Sequence, residues 1–250
     1  MNSQTGLSST NFVANRGPVP IVALDVASAS DAIALAQALP DTDFFKIGLQ
    51  LYTAEGPDIV RRVLDAGKRV FLDLKYHDIP NTVAGAVRSA AALGVDLLTV
   101  HASGGAAMLT AAAEAAAASA TPPKIFAVTV LTSLSASELA TSWGRRILDA
   151  THEAARLAQL ASDCGVYGVV TSVHEVEAIR SGTRRDYPVL TPGIRMAGDA
   201  AGDQSRVATP AEAARVGANY VVLGRSVTAA SDPAAAYSRI VSALTPEPAA

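Results

Sequence analysis

Short apolar runs alternate along this chain with longer segments whose apolar residues recur at helical spacing. Near-continuous apolar runs are typical of strands buried on both faces, whereas apolar positions three and four residues apart indicate a helix that covers a sheet. We predict strands over 20–25, 43–48, 69–75, 96–101, 124–131, 167–171, 187–190 and 220–223. We predict helices over 30–39, 51–66, 80–93, 105–119, 145–163, 174–179, 210–216 and 233–244.

This alternation predicts a closed parallel sheet rather than an open one. Eight strand-helix units within 250 residues fit a single (β/α)8 barrel, the TIM-barrel architecture of the α/β class. No linker-like change of composition interrupts the alternation. We therefore expect one barrel domain over 19–244, with a flexible N-terminal tail over 1–18 and a flexible C-terminal tail over 245–250.

The stretch 71–82 places charged groups in an otherwise apolar strand. Alternate strand residues face opposite sides, so Phe71, Asp73 and Lys75 share one face. Pro80 suits the first turn of a helix, and Asp78 lies in the turn before it, close behind the Lys75 ammonium. A buried ion pair, with Asp78 capping the helix, would explain these residues without a function. Desolvating two carboxylates and an amine is costly, however, and marks a candidate site.

Polar residues also follow the other predicted strands, at the edge where barrels of this kind build their active sites. They are Asp25, Lys46, Asp73, Lys75, His101, Thr132, Ser133, Arg195, Gly224 and Arg225. Taken singly, Asp25 suits a loop or capping carboxylate, and Lys46 suits a partner of a nearby acid. Taken together, the strand ends predict a charged pocket. Its charges would alternate in sign in the order Lys46, Asp73, Lys75 and Asp78.

The segment 190–206 is longer than most connections between a barrel strand and a helix. Long loops in compact domains are often lids, although a solvated flexible loop would have the same composition. Gly224 and Arg225 follow the eighth predicted strand. Barrels often bind phosphate after strands seven and eight, where N–H groups at a helix start and an arginine face the anion. We therefore predict a phosphate site beneath a lid.

Composition excludes several classes of partner. A net charge of −3 and a pI near 5.8 provide no basic field for nucleic acid. No apolar run reaches the roughly 18 residues that span a membrane, and residues 1–18 lack the apolar segment of a signal peptide, so we expect a cytoplasmic protein. No spacing of His, Cys and carboxylates indicates a metal site, and we expect His101 to be an ordinary strand-end histidine.

The segment 73–82, Asp-Leu-Lys-Tyr-His-Asp-Ile-Pro-Asn-Thr, closely resembles the signature of bacterial orotidine 5′-monophosphate decarboxylases. The Asp-x-Lys-x-x-Asp spacing is shared with relatives that act on other sugar phosphates, whereas the extension through Thr82 is more specific. The resemblance covers 19–242. It implies cofactor-free conversion of orotidine 5′-monophosphate (OMP) to UMP and carbon dioxide in pyrimidine biosynthesis, with Lys75 protonating C6 of the pyrimidine.

The resemblance also implies roles for individual residues. Asp25 would contact the sugar or base of the ligand, and the protein would form a homodimer in which Asp78 and Thr82 reach into the neighbouring subunit's site. Thr132 would meet the pyrimidine edge, with Ser133 as the alternative; locally, a strand-end hydroxyl that caps the next helix explains either residue equally well. The residues that match the phosphate-binding pattern are Pro192, Arg195, Gln204, Gly224 and Arg225, and Gln204 would also link the lid to the pyrimidine.

The sequence leaves two other functions open. A related barrel enzyme, such as a hexulose-phosphate synthase or a keto-gulonate-phosphate decarboxylase, would need a divalent metal to hold an enediolate. A non-catalytic nucleotide-binding barrel should have lost a charged member of the central set. All four members are present: Lys46, Asp73, Lys75 and Asp78.

Overall fold

A computed structural model describes residues 17–144, 146, 149–196 and 206–245. Within these ranges, eight parallel strands close into a barrel in chain order, and the predicted (β/α)8 barrel is confirmed. The strands are β1 Val19–Ala23, β2 Phe44–Gly48, β3 Arg69–Tyr76, β4 Leu97–His101, β5 Lys124–Val128, β6 Gly168–Val170, β7 Val189–Thr191 and β8 Tyr220–Leu223. The helices are α1 Ala29–Gln37, α2 Leu49–Glu55, α3 Asp58–Asp65, α4 Pro80–Ala92, α5 Ala106–Ala117, α6 Ala136–Trp143, α7 Ala150–Asp163, α8 Val176–Gly182, α9 Pro210–Arg215, α10 Arg225–Thr228 and α11 Pro233–Leu244.

The side-chain alternation of the strands divides the apolar core into two layers. Inward-facing residues such as Phe71 fill the barrel, and outward-facing residues such as Leu72 pack against the helices. Near the amino ends of the strands, the Phe126 ring lies against the rings of Tyr167 and Tyr220, with centroids 5.5 and 5.6 Å apart. These aromatic rings fill that end of the barrel, so the space for a ligand is at the carboxyl ends.

Several element boundaries differ from the prediction for identifiable reasons. The predicted helix 51–66 is two helices, because Gly56 has a φ of 65° and Pro57 lacks a backbone donor. The predicted helix 145–163 begins at Ala150, where the Asp149 carboxylate accepts a hydrogen bond from the Thr151 N–H at 2.9 Å. The predicted strand 124–131 ends at Val128, which leaves the residues after it free to form a loop over the cavity.

Two predictions fall largely on other parts of the chain. The predicted tails, 1–18 and 245–250, lie almost wholly outside the described residues, as does 197–205 of the predicted lid, which includes Gln204. None of the helices in the described ranges has both the length and the hydropathy that a membrane span requires.

Candidate active site

A cavity of about 530 Å³ opens at the carboxyl ends of the strands. Its floor is apolar and is formed by inward-facing strand residues, among them Phe71 and Val128. Its rim is polar, as the sequence predicts. The polar side chains that line it are Asp25, Lys46, Asp73, Lys75, Thr132, Ser133, Arg195, Arg225 and Thr228.

Four charged side chains from three neighbouring strand ends form an alternating series in this cavity, which we call the charge chain: Asp25, Lys46, Asp73 and Lys75. The Lys46 Nζ lies 2.8 Å from an Asp25 carboxylate oxygen and 3.8 Å from an Asp73 oxygen. The Lys75 Nζ donates to both Asp73 oxygens, at 2.9 and 2.8 Å. Lys46 and Asp73, the two interior members of the series, therefore each have an opposite charge on both sides.

Asp73 is the buried centre of the charge chain, with 9% of its surface exposed. Burial is the largest influence and acts to raise its pKa. The positive charges of Lys75 and Lys46, together with hydrogen bonds from Lys75 and Thr99, more than offset burial and hold the pKa of Asp73 below its ordinary value. Asp73 is therefore a carboxylate over the physiological pH range, and it fixes the Lys75 ammonium beside the cavity.

The backbone of Lys75 has a conformation that is uncommon for a residue with a side chain. Its φ is 49°, in the left-handed region, and the register between β3 and β4 shifts between Leu72 and Tyr76. The Lys75 N–H donates to the Thr99 hydroxyl at 2.9 Å, and that hydroxyl donates to an Asp73 oxygen at 2.9 Å. Strained backbone of this kind persists where the surrounding structure fixes it, often at functional sites.

Thr99 is the residue of this arrangement that sequence reasoning missed. It is fully buried on β4 and bonds to the backbone of one charged residue and to the side chain of another. The signal that could have identified it is a hydroxyl at an inward-facing position, two residues along the strand from the inward-facing Leu97. Nothing in the local sequence indicates which residues across the sheet it contacts.

The structure corrects the predicted order of the charges within one chain. Asp78 does not lie against the Lys75 ammonium: it is exposed, its carboxylate accepts a hydrogen bond from the Ile79 N–H at 2.6 Å, and it does not line the cavity. The fourth member of the series is instead Asp25, which pairs with Lys46 at the end away from Lys75. Thr82 is also exposed, on the first turn of α4. The reason is geometric, because the chain turns away from the cavity after β3 to begin α4.

The residues predicted to hold phosphate line the cavity, apart from Gln204, which lies outside the described residues. β7 and β8 are followed by Pro192, Arg195, Gly224 and Arg225. The Arg195 side chain is mostly buried, and its Nη1 donates to the Ile194 carbonyl at 2.8 Å. Arg225 is exposed and is the first residue of α10. Both arginines therefore line the same cavity as the charge chain.

The loop after β5 supplies the two candidate residues for the pyrimidine edge. Both Thr132 and Ser133 line the cavity. Thr132 is buried, with 8% of its surface exposed, whereas Ser133 is exposed. A buried hydroxyl is better placed than an exposed one to discriminate between ligands, because leaving it unpaired is costly.

The two histidines near β3 and β4 lie outside the cavity. The ring centroids of His77 and His101 are 5.3 Å apart. Burial, followed by the positive charges of His77 and Lys75, lowers the pKa of His101. Among the described residues, no cluster of three or more His, Cys, Asp or Glu side chains could hold a metal ion.

Comparisons with known proteins agree with this geometry. The family model described as "Orotidine 5'-phosphate decarboxylase / HUMPS family" matches residues 18–240. The curated orotidine 5′-phosphate decarboxylase of Moorella thermoacetica is 50% identical over 230 residues, which cover 90% of this chain and 91% of the relative. That of Streptococcus mutans is 47% identical over 227 residues, which cover 90% and 97%.

A solved structure gives the same result in three dimensions. The crystal structure of orotidine 5′-phosphate decarboxylase from Lactobacillus acidophilus matches with a TM-score of 0.80 and 35% sequence identity, covering 92% of this chain and all of that chain. The matched range of the family model includes every residue that lines the cavity. The chain therefore belongs to the orotidine 5′-phosphate decarboxylase / HUMPS family.

Proposed function

We propose that this enzyme decarboxylates OMP to UMP and carbon dioxide without a cofactor, and that Lys75 delivers the proton to C6. The family membership supports the reaction. The observation that carries the mechanism is the Lys75 ammonium, bonded to the buried carboxylate of Asp73 and only 28% exposed, on the wall of a cavity large enough for a nucleotide.

Electrostatic stabilisation by Lys75 is the main catalytic effect in this proposal. When the carboxyl group leaves, the electron pair on C6 lies in an orbital that the pyrimidine ring cannot delocalise. A positive charge about 4 Å from a negative one contributes roughly 4 kcal/mol at an effective dielectric near 20. Because Asp73 and Thr99 already hold Lys75 in place, little reorganisation is needed when the negative charge develops. The same ammonium then protonates C6.

Asp73 has a second role in the proposal. Its pKa is held below the ordinary value, so it remains negatively charged beside the ammonium. A substrate carboxylate placed against it would be repelled, which raises the energy of the bound substrate. We assign this effect a smaller share than stabilisation of the carbanion, because such repulsion is relieved by small movements of the substrate.

Phosphate binding supplies the energy that positions the substrate. Arg195 and Arg225, with the backbone around Gly224, would hold the phosphate on the wall opposite Lys75. Binding energy from this remote group holds the reacting carbon against the ammonium and excludes water. Gln204, which lies outside the described residues, would connect the lid to the pyrimidine. Thr132 would bind the pyrimidine edge.

We also propose a homodimer with shared active sites. Asp78 and Thr82 are exposed on one face at the start of α4, and the Ile79 side chain between them is 67% exposed. A large exposed apolar side chain flanked by exposed polar groups suits an interface with a second copy of the chain. In the dimer, Asp78 and Thr82 would reach the partner's cavity.

The test is the loss of OMP absorbance in the ultraviolet with purified, chelator-treated protein. We expect complete conversion to UMP after chelation, since no step of the mechanism uses a metal. No conversion would refute the proposed reaction, and conversion of a sugar phosphate with strict dependence on magnesium would favour a metal-dependent relative instead.

The variant Lys75→Ala tests the mechanism separately from the reaction. We expect it to lose OMP turnover while its dissociation constant for UMP, measured by calorimetry, stays within about tenfold of the wild-type value, because UMP has no carboxylate to lose. Lys68→Ala, at a lysine whose Nζ donates to the Thr42 carbonyl near the amino end of β2, is the control. Substantial residual decarboxylation by Lys75→Ala would contradict the assigned role.

A further inference from the structure

A buried ion pair connects the loops around the cavity without lining it. The Glu175 side chain is 1% exposed, and one of its carboxylate oxygens accepts a hydrogen bond from Arg206 Nη1. Glu175 ends the 3-10 turn after β6, and Arg206 precedes α9. We call these two residues the positioning pair. The reaction proposed above uses neither of them.

The carboxylate of Glu175 is anchored to the chain after β6. Its second oxygen accepts hydrogen bonds from the Thr171 hydroxyl and, at 3.0 Å, from the Ser172 N–H. The Thr171 hydroxyl also lies 3.3 Å from the hydroxyl of Thr129, which follows β5. Glu175 therefore presents a fixed negative charge to Arg206.

The guanidinium of Arg206 reaches a second loop. Its Nη2 donates to the Leu131 carbonyl at 3.0 Å. Leu131 immediately precedes Thr132, whose buried side chain lines the cavity. The carbonyl that Arg206 holds belongs to the peptide group that joins Leu131 to Thr132, so the contact fixes the direction in which Thr132 leaves the backbone.

The same arginine is connected to the loop after β7. Two residues beyond it, the Ala208 carbonyl accepts a hydrogen bond from the Arg195 N–H at 2.9 Å, and the Ala208 N–H donates to Gly193 at 3.2 Å. His174 Nε2 lies 3.1 Å from the Val207 carbonyl and ties this segment to the 3-10 turn as well. Arg206 is thus linked to the segment that carries Thr132 through its guanidinium, and to the segment that carries Arg195 through the nearby backbone of Ala208.

Stability alone is a weak explanation for this arrangement. Desolvating two charges is costly, and well-packed apolar residues often replace such pairs without loss. Burial lowers the pKa of Arg206, and its Nε has no hydrogen-bond partner among the described residues. What the pair does provide is a fixed geometry between three loops that an apolar contact would not define.

We propose that Glu175 and Arg206 form a positioning pair that sets the orientation of Thr132, and with it the pyrimidine-binding side of the cavity. The inference rests on the proposed decarboxylation and adds a residue pair that acts through another residue. Neither member touches the ligand. Loss of the contact to Leu131 should displace Thr132, and small displacements of binding groups have large effects on rate.

The test is a double-mutant cycle between Arg206→Lys and Thr132→Ala, read as kcat/KM for OMP. Lysine keeps the positive charge for Glu175 but cannot donate in two fixed directions as a guanidinium does. We expect Arg206→Lys to lower kcat/KM roughly 10- to 100-fold. When Thr132 is already alanine, we expect Arg206→Lys to lower kcat/KM little further. Losses that multiply in the double variant would overturn the proposal.

A matched control separates positioning from general damage. Arg180 of α8 also has a partly buried guanidinium that donates to two backbone carbonyls, those of Val216 and Gly217, at 2.8 and 2.5 Å. Arg180→Lys should leave kcat/KM within about twofold of wild type, because its carbonyls belong to no cavity residue. If Arg206→Lys does not fold, as judged by circular dichroism, Glu175→Gln takes its place in the cycle.

A second measurement does not depend on turnover. In protein labelled at threonine methyl groups, the Thr132 methyl resonance, assigned with Thr132→Ser, reports the position of that side chain in the absence of ligand. We expect Arg206→Lys to shift this resonance and Arg180→Lys to leave it unchanged. An unmoved Thr132 resonance in Arg206→Lys would overturn the proposal. Absence of OMP turnover in the wild type would overturn the proposed function, and the spectrum would still decide the role of the pair.

Discussion

At the scale of single residues, the charged centre depends on a buried threonine and a strained lysine. Thr99 accepts a hydrogen bond from the Lys75 N–H and donates one to Asp73, so one hydroxyl orients both the backbone of the proposed proton donor and its counterion. The left-handed φ of Lys75 strains the backbone, and the contacts to Thr99 and Asp73 must offset the free-energy cost of that strain. Thr99 thus influences the site without lining the cavity.

The variant Thr99→Val tests this dependence, because valine keeps the shape of threonine and removes its hydroxyl. We expect the free energy of unfolding to fall by about 1–3 kcal/mol, since an Asp73 oxygen and the Lys75 N–H lose a buried partner. We expect kcat to fall roughly 10- to 100-fold as the ammonium loses its fixed position. Urea unfolding and steady-state kinetics give the two quantities.

Thr191→Val is the control for Thr99→Val. Thr191 is also fully buried on a barrel strand, but within the described part of the chain its hydroxyl makes only a long contact, 3.5 Å, with the Tyr220 carbonyl. The substitution Thr191→Val should therefore leave kcat near the wild-type value. Equal effects of the two substitutions on kcat would show that Thr99 has no special role.

The lowered pKa of Asp73 predicts how stability depends on pH. A carboxyl whose pKa is lower in the folded state stabilises that state above the unfolded pKa, about 3.9, and loses this effect as the pH falls through the folded pKa. Asp73→Asn has no such proton to gain. Below about pH 4, its free energy of unfolding should therefore fall less steeply with decreasing pH than that of the wild type.

Urea unfolding at a series of pH values between about 2 and 7 gives both slopes. Asp58→Asn, at an exposed carboxylate on α3, controls for the loss of one negative charge. Parallel acid limbs in the wild type and Asp73→Asn would mean that the buried carboxylate gains no stability from its lysine neighbours.

At the scale of elements, the strands were predictable and the contacts between them were not. Near-continuous apolar runs predicted all of the strands, and side-chain alternation placed Asp73 and Lys75 on the inner face, where the structure has them. The break at Gly56 and Pro57 was visible in the sequence but was outweighed by the helical periodicity on either side. Local propensity cannot decide between one kinked helix and two.

The part of the site that sequence could not predict depends on register and on the course of the chain after each strand. Asp25 meets Lys46 because β1 and β2 pair with Ala23 opposite Lys46, which no local pattern encodes. Asp78 is only three residues beyond Lys75 in the sequence, yet it points away from Lys75 because the turn into α4 redirects the chain. Thr99 and the positioning pair likewise require long-range contacts.

The ends of β7 and β8 predict a phosphate-specific effect. Arg225→Ala should weaken UMP binding roughly 10- to 100-fold, because it removes a charge-assisted hydrogen-bond donor. Binding of uridine, which has no phosphate, should change little. Calorimetry with the two ligands measures this difference. Arg239→Ala, at an exposed arginine of α11, is the control, and an unchanged affinity of Arg225→Ala for UMP would remove the role assigned to Arg225.

At the scale of the whole molecule, the proposed homodimer with shared active sites predicts that two inactive variants complement each other. Lys75→Ala and Asp78→Ala should each be inactive alone. In a mixed dimer, one site contains both defects and the other contains neither. After random subunit exchange, half of the dimers are mixed, so about one quarter of wild-type activity should return.

Native mass spectrometry of the mixture shows whether subunits have exchanged, because the two variants differ in mass, and the recovered activity is compared with that of each variant incubated alone. Lys75→Ala mixed with Asp73→Ala is the control, because both residues lie in the charge chain of one protomer. If the active site lies within one chain, neither mixture should recover activity.

The closed sheet has a consequence for which ligands the enzyme accepts. β3 and β7 are four strands apart in either direction around the barrel, so Lys75 on β3 and Arg195 after β7 follow strands on opposite sides of it. A hydrogen-bonded ring of strands, rather than any loop, sets the distance between those sides. Selection of ligands by length is therefore built into the scaffold, and loop substitutions that alter affinity should leave the preferred spacing between phosphate and reacting carbon unchanged.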